Sequence, residues 1–379
     1  MTRFGFSLGR FRAVLVKEFI QMVRDRLTFA MILGVPIMQL ILFGYAINAD
    51  PRALPTAVVL GDNGTFARAI VRALENTDYF RVTDQPSTLA EAGELIAAGK
   101  VLFVIDIPID FSRRLMRGEK PAILVEADAT DPVATGNAIG ALAEIQSSAL
   151  AHDLVGPLAR LQPPDPPFEF RIHKRYNPEG ATELNIVPGL MGTILTMTLA
   201  MLTAAAMTRE FERGTMENLL ATPVRPVEVM LGKIVPYMFV GIAQVALILI
   251  AGTALFGVPV TGSLALLGVC VLIFVAANLA VGFTFSTLAE NQMQAMQMAI
   301  FFFLPSMLLS GFLFPFRGMP EWAQGLGNLL PLTYFLRIVR GILLKGNGIA
   351  EVWPSLWPII VFLVIVAAIA LRRYRRTLD

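Results

Sequence analysis

The sequence predicts an α-helical integral membrane protein with six transmembrane helices and an α/β periplasmic domain inserted between helices 1 and 2. Three observations predict this. Hydrophobic residues make up 55% of the 379 residues and charged residues only 16%, against roughly 45–50% and 25% in soluble domains. Six stretches carry no charge and are long enough to cross a bilayer core, which takes about 20 residues in a helix. The Lys and Arg residues cluster beside alternate stretches, as they do when one side of a membrane holds the basic loops.

In chain order, residues 1–26 read as a cytoplasmic amphipathic helix, in which Phe11, Leu15, Phe19 and Met22 share one face among basic residues. A helix of that pattern lies at a lipid interface or on a partner. Residues 27–47 form transmembrane helix 1. The run is too long for a signal-peptide core, and Ile47-Asn48-Ala49 is a poor cleavage site, so the span is read as an uncleaved anchor. Residues 48–185 form the inserted domain. Short strands (Thr56–Leu60, Phe80–Thr83, Val101–Ile105, Ile123–Glu126) alternate there with helical periods at Gly64–Glu75, Leu89–Ala98 and Val133–Leu158, an α/β pattern. Pro163-Pro164-Asp165-Pro166-Pro167 is a stiff spacer.

Helix 2 covers 186–207, a cytoplasmic segment 208–233, helices 3–5 residues 234–316, and helix 6 residues 352–371. Residues 317–351 are too polar to span and too apolar for a free loop. With Trp322, Tyr334 and Phe335, and with Trp353 and Trp357 just beyond, they read as outer interfacial or re-entrant helices. Arg372, Arg373, Arg375 and Arg376 make the tail, 372–379, basic. The leader, the segment after helix 2 and the tail fall on one side when both termini are cytoplasmic.

Composition excludes several chemistries. Cys270 is the single cysteine, and His152 and His173 the only histidines, so no disulfide and no zinc cluster is expected. A net charge of +2 gives no reason to expect nucleic acid. Gly93–Lys100 imitates a phosphate loop, but its glycines are spaced wrongly and Val101 stands where Ser or Thr would bind magnesium. No Asp, Glu or His lies inside the six spans, which argues against coupling to an ion gradient. Gln244 and Asn278 read as interhelical hydrogen-bonding residues, and Ser147 and Ser148 near His152 as one polar helix face.

The cytoplasmic segment carries the sharpest pattern. Arg209-Glu210-Phe211-Glu212-Arg213-Gly214-Thr215-Met216-Glu217-Asn218 has a break at Gly214, a helix cap at Thr215, and Glu217 and Asn218 in the next first turn. The run from Arg209 to Tyr237, Leu309–Pro315, Leu330–Phe335, and Arg340-Gly341 with Leu344-Lys345-Gly346 closely resemble the ABC-2 type permeases of ABC transporters, nearest the bacterial multidrug-type exporters with a large periplasmic insert. The resemblance extends over essentially the whole chain.

It implies a permease subunit in the bacterial inner membrane that binds no cofactor itself, with ATP and magnesium held by a separate ABC ATPase subunit. It also implies a second permease copy or paralogue, and a periplasmic adaptor is a further candidate partner. By carry-over, Arg209, Glu210, Glu212, Arg213, Gly214, Thr215, Glu217 and Asn218 would couple to the ATPase, with the leader helix beside them. Spans without charge suit an apolar or amphiphilic cargo. A membrane-anchored receptor, or a permease exporting lipid or polysaccharide, are the alternatives.

Overall fold

The computed structural model describes residues 51–151, 153–154, 166–212 and 226–376. The leader and the first apolar stretch lie outside the described residues. The sequence from Leu54 to Arg175 builds a five-stranded mixed sheet in the order β2-β1-β3-β4-β5. Its strands are β1 (Leu54–Leu60), β2 (Phe80–Asp84), β3 (Phe103–Ile107), β4 (Ala122–Asp128) and β5 (Glu169–Arg175). β1 runs parallel to β2 and β3, β3 is antiparallel to β4, and β4 is parallel to β5. β5 therefore runs opposite to β1, so β1 begins and β5 ends at the same end of the sheet.

Side chains alternate across the pleat, and the two faces are covered differently. Leu54, Val58, Phe103, Ile105, Ile123 and Val125 face a core closed by α1 (Thr65–Asn76), α3 (Phe111–Met116) and α4 (Pro132–Ser148). Ala57, Val59 and Val104 face α2 (Leu89–Ala97), which supplies Ala92 and Ile96. Helix α4 ends at Ser148, ten residues short of the expected Leu158. Strand β5 was not expected from sequence. Its Arg171, His173, Lys174 and Arg175 disguise an edge strand whose Phe170 packs into the core beside the fully buried Phe168.

The chain then becomes almost wholly helical: α5 (Glu183–Glu212), α6 (Pro226–Phe256), α7 (Leu264–Ser286), α8 (Gln292–Leu309), α9 (Glu321–Gly327), α10 (Pro331–Arg340) and α11 (Ile349–Arg376). Among the described residues, five helices are long and apolar enough to cross a membrane, and the count reaches six if the bent pair α9–α10 is one span. That pair turns through 84°. It continues into a π turn, Gly341–Lys345.

Helices α5 and α7 form the centre, with 61% and 56% of their most apolar windows buried, whereas α6 and α11 bury 17% each and leave the rest for lipid or a partner. Small residues permit the close central contact. A Cβ on Gly282 of α7 would lie 2.5 Å from the Ala200 carbonyl oxygen and 2.8 Å from Thr203 Cβ on α5. At the sheet-facing end, Phe312 lies directly on Gly189 and Leu332 on Gly192. This lets α10 settle against α5, where Phe335 stacks on Phe274 at 3.9 Å.

The contact at Gly282 is against backbone, which cannot step aside. Gly282→Ala should therefore destabilise the chain by about 1–3 kcal/mol, read as a lower Tm in detergent. Gly268→Ala, on the same helix but with nothing within 4 Å, should leave Tm unchanged. Equal Tm values for the two variants would remove the claim that α5 and α7 are held at this point.

Candidate functional site

Within the bundle many polar side chains bond within their own helix, whereas Thr203 Oγ1, Asn278 Oδ1 and Gln297 Oε1 are buried without a partner among the described residues. On α5 the hydroxyls of Thr193, Thr196, Thr198 and Thr208 donate to carbonyls one turn earlier, Gly189, Gly192, Ile194 and Ala204. Thr198 Oγ1 also lies 3.0 Å from Gln244 Oε1 and so links α5 to α6. Asn278 does not reach across to a neighbour in this way. Its Nδ2 donates to the Phe274 carbonyl of its own helix at 2.9 Å. The apolar middles of these five helices contain no Asp, Glu, Lys or Arg. A solute passing among them would meet methyl, thioether and hydroxyl groups rather than fixed charge.

Charge collects at the two ends. Away from the sheet, α5 continues to Glu212, whose Oε1 accepts from the Gln292 N–H at 2.7 Å, at the first turn of α8. Asn291 caps the same helix through Gln294 N. Glu212 thus ties the end of α5 to the start of α8, a contact that spacing alone could not reveal because the two residues are eighty positions apart. Arg209 is exposed beside it. Of the other expected coupling residues, Arg213, Gly214, Thr215, Glu217 and Asn218 lie outside the described residues, as do the side chain of Glu210 and Phe11, Leu15, Phe19 and Met22 of the leader.

In the parallel part of the sheet, β1 and β3 end beside the N-termini of α1 and α3, where a helix terminus favours an anion. Here the protein supplies the anion itself. Asp62 accepts from Gly64 N at 2.7 Å and from Ser112 N at 2.6 Å. Burial alone would raise its pKa, but the two backbone donors outweigh burial and hold the carboxyl below its ordinary 3.8. Gly93–Lys100, which mimics a phosphate loop, forms the end of α2 and a turn with Gly99 at φ +69°. Ser147 and Ser148 both donate to the Glu144 carbonyl, and His152 lies outside the described residues.

More charge is buried than the sequence reading placed. Glu126 and Asp128 on β4 are 4% and 3% exposed, and Arg175 pairs with Glu126 at 2.7 Å. Burial and then Glu126 push the nearby Asp106 carboxyl up. Arg337 and Arg340 of α10 lie at the same end of the bundle. Arg337 lies over the Phe316 and Tyr334 rings, and Arg340 donates to the Gly311 carbonyl. The segment 317–351 was expected as outer interfacial or re-entrant helices. The pair α9–α10 is bent by 84° and leaves Arg337 exposed and Arg340 half-buried.

Comparison with known proteins covers nearly the whole chain. The family described as "ABC-2 family transporter protein" matches residues 26–372. Over 350 residues the chain is 32% identical to the Escherichia coli K12 protein named "Probable multidrug ABC transporter permease YbhS", covering 90% of each. It is 28% identical over 360 residues to "Probable multidrug ABC transporter permease YbhR" of the same strain, covering 95% and 96%. To "Inner membrane transport permease YhhJ", again of that strain, it is 29% identical over 338 residues, covering 86% of each.

The Asp62 carboxylate gives a direct test of the sheet domain. Asp62→Ala should cost about 1 kcal/mol, since two backbone donors lose their acceptor at a half-exposed site. Because the folded pKa lies below 3.8, this stabilisation is complete above that value and fades as pH falls through the folded pKa. Thermal unfolding of the full chain in detergent should show a constant gap between wild type and variant down to about pH 5, narrowing below it.

Proposed function

This chain belongs to the ABC-2 transporter family, and on that premise we propose that it is the membrane-spanning subunit of an exporter for an apolar or amphiphilic compound. ATP is hydrolysed in this reading by a separate ATPase subunit, which also holds the magnesium. The observation that carries the cargo class is the bundle itself: among the described residues, the polar groups of its five long helices are mainly threonine, glutamine and asparagine, and their apolar middles hold no Asp, Glu, His, Lys or Arg. An ion-coupled carrier needs titratable groups there. The printed names of the relatives, two multidrug permeases and one inner-membrane transport permease, support the same class.

The basic leader, the basic segment after α5 and the basic tail support an orientation with both termini in the cytoplasm. The sheet domain then lies in the periplasm, where it would meet an adaptor or shape the exit. The weakly buried faces of α6 and α11 leave room for a second permease copy or a paralogue. The cytoplasmic coupling segment is assigned to Arg209–Thr222, with Glu210, Arg213 and Glu217 as polar contacts and Gly214 as the bend. Glu212 is its anchor on α8. A receptor reading leaves the charged segment without a task, and the crevice where a sensor would bind an anion is filled by Asp62.

Glu217 is the residue on which to test the coupling. Glu217→Lys should lower permease-dependent ATP hydrolysis in the reconstituted complex at least about tenfold, the scale of losing a hydrogen-bonded charge at an interface. Co-purification of the two subunits should be preserved. Wild-type hydrolysis by this variant would remove Glu217 from the coupling surface.

A further inference from the structure

The sheet domain meets the bundle through a small polar joint with the π turn at its centre. A π turn displaces the usual i to i−4 bonding, and such turns recur at functional points of helices. Here the altered carbonyls are taken by the α6–α7 loop. Thr261 Oγ1 lies 2.8 Å from the Leu343 oxygen and 3.3 Å from the Ile342 oxygen, and Thr261 N donates to Leu343 O at 3.1 Å. Asn347 N closes on Gly341 O, and Gly346, at φ +73°, redirects the chain into α11. The turn is thus held by the bundle on one side.

On its other side it holds the sheet domain. Lys345 Nζ lies 2.5 Å from Asp128 Oδ2, and the two side chains are 8% and 3% exposed. The other oxygen of Asp128 accepts from the Thr130 N–H and hydroxyl. Lys345 also reaches the Ile96 carbonyl at 3.3 Å, Asn347 Nδ2 reaches the Ala97 carbonyl, and Arg317 reaches the Gly99 carbonyl. The last carbonyls of α2, the negative end of that helix, are therefore met by a cation and an amide, and the turn after it by a second cation. Tyr176, on the link between β5 and α5, places its ring 5.3 Å from Lys345 Nζ.

A buried ion pair contributes little net stability, and its best attested use is to fix register. The Lys345 ammonium is satisfied only when β4, the end of α2 and the π turn are all in place together. We propose that Lys345 is a positioning residue that clamps the sheet domain to the π turn, so that the domain, the α9–α10 pair and the start of α11 move as one body during transport. This deepens the permease reading and rests on it for the word transport. The clamp itself is a matter of contacts within one chain.

The test is disulfide formation between Ala97→Cys and Asn347→Cys in the full chain with its ATPase partner; the native thiol, Cys270, is buried. The oxidation rate should agree within about twofold in the nucleotide-free, ATP-bound and vanadate-trapped complex, since an over-determined contact has one arrangement. Adding Lys345→Met should slow it at least about tenfold and make it depend on nucleotide, and Lys345→Arg, which keeps the charge, should restore most of the rate.

Asp128→Asn, isosteric and neutral, repeats the test without deleting the lysine, and monodispersity on gel filtration shows that each variant is folded. A wild-type rate that collapses in one nucleotide state overturns the proposal, because the joint then opens. So does a Lys345→Met rate equal to wild type. The comparison of wild type with Lys345→Met in membranes needs neither ATPase nor substrate, so failure of the exporter reading would leave that arm readable.

Discussion

Lipid offers no hydrogen-bond partner, and this constraint arranges the rest of the molecule. Backbone groups among the spans must find partners within the chain, and many side chains follow them. Thr193, Thr196, Thr198 and Thr208 of α5 return their hydroxyl protons to their own helix. Ser306 does the same beside Pro305, donating to the Phe302 carbonyl, whereas Thr203 Oγ1 is buried without a partner among the described residues. With much of the polar demand met inside single helices, shape carries a large part of their association. The glycines at 189, 192 and 282, each touched by a neighbouring helix or loop, are where shape decides.

Charge obeys the same constraint by moving to the ends. Where it is buried, partners converge from several elements: Arg175 on Glu126, Lys345 on Asp128, Arg340 on the Gly311 carbonyl. The bent α9–α10 pair and the π turn after it set the half-buried Arg340 and the buried Lys345 at the level where bundle and sheet meet. The bend and the buried carboxylates of β4 are complementary parts of one solution.

Much of this was legible in the sequence, and the limits have physical causes. Length and continuous hydrophobicity report a span directly, so each of α5, α6, α7, α8 and α11 overlaps an expected span, though α6 begins eight residues before position 234 and α8 ends seven before position 316. Alternation and short β-branched runs likewise reported β1 to β4. Strand β5 escaped because an edge strand needs only one apolar face, and charged residues dominate Arg171–Arg175. The central position of α5 and α7 is set by which surfaces match, and hydropathy is blind to that: α6 is more apolar than α5 yet lies outside. Lys345 could be marked by family resemblance, but its partner Asp128 lies more than two hundred residues away. No local pattern connects them.

The sheet's mixed topology has a consequence for how such a chain can change over time. Because β5 runs opposite to β1, the chain enters and leaves the sheet at one end. The sheet domain is therefore built like a graft on a single stem. It can lengthen, shrink or be exchanged between lineages without re-threading any helix, provided the few groups at the stem still meet the π turn. Selection on what the graft contacts can then proceed almost independently of selection on the bundle.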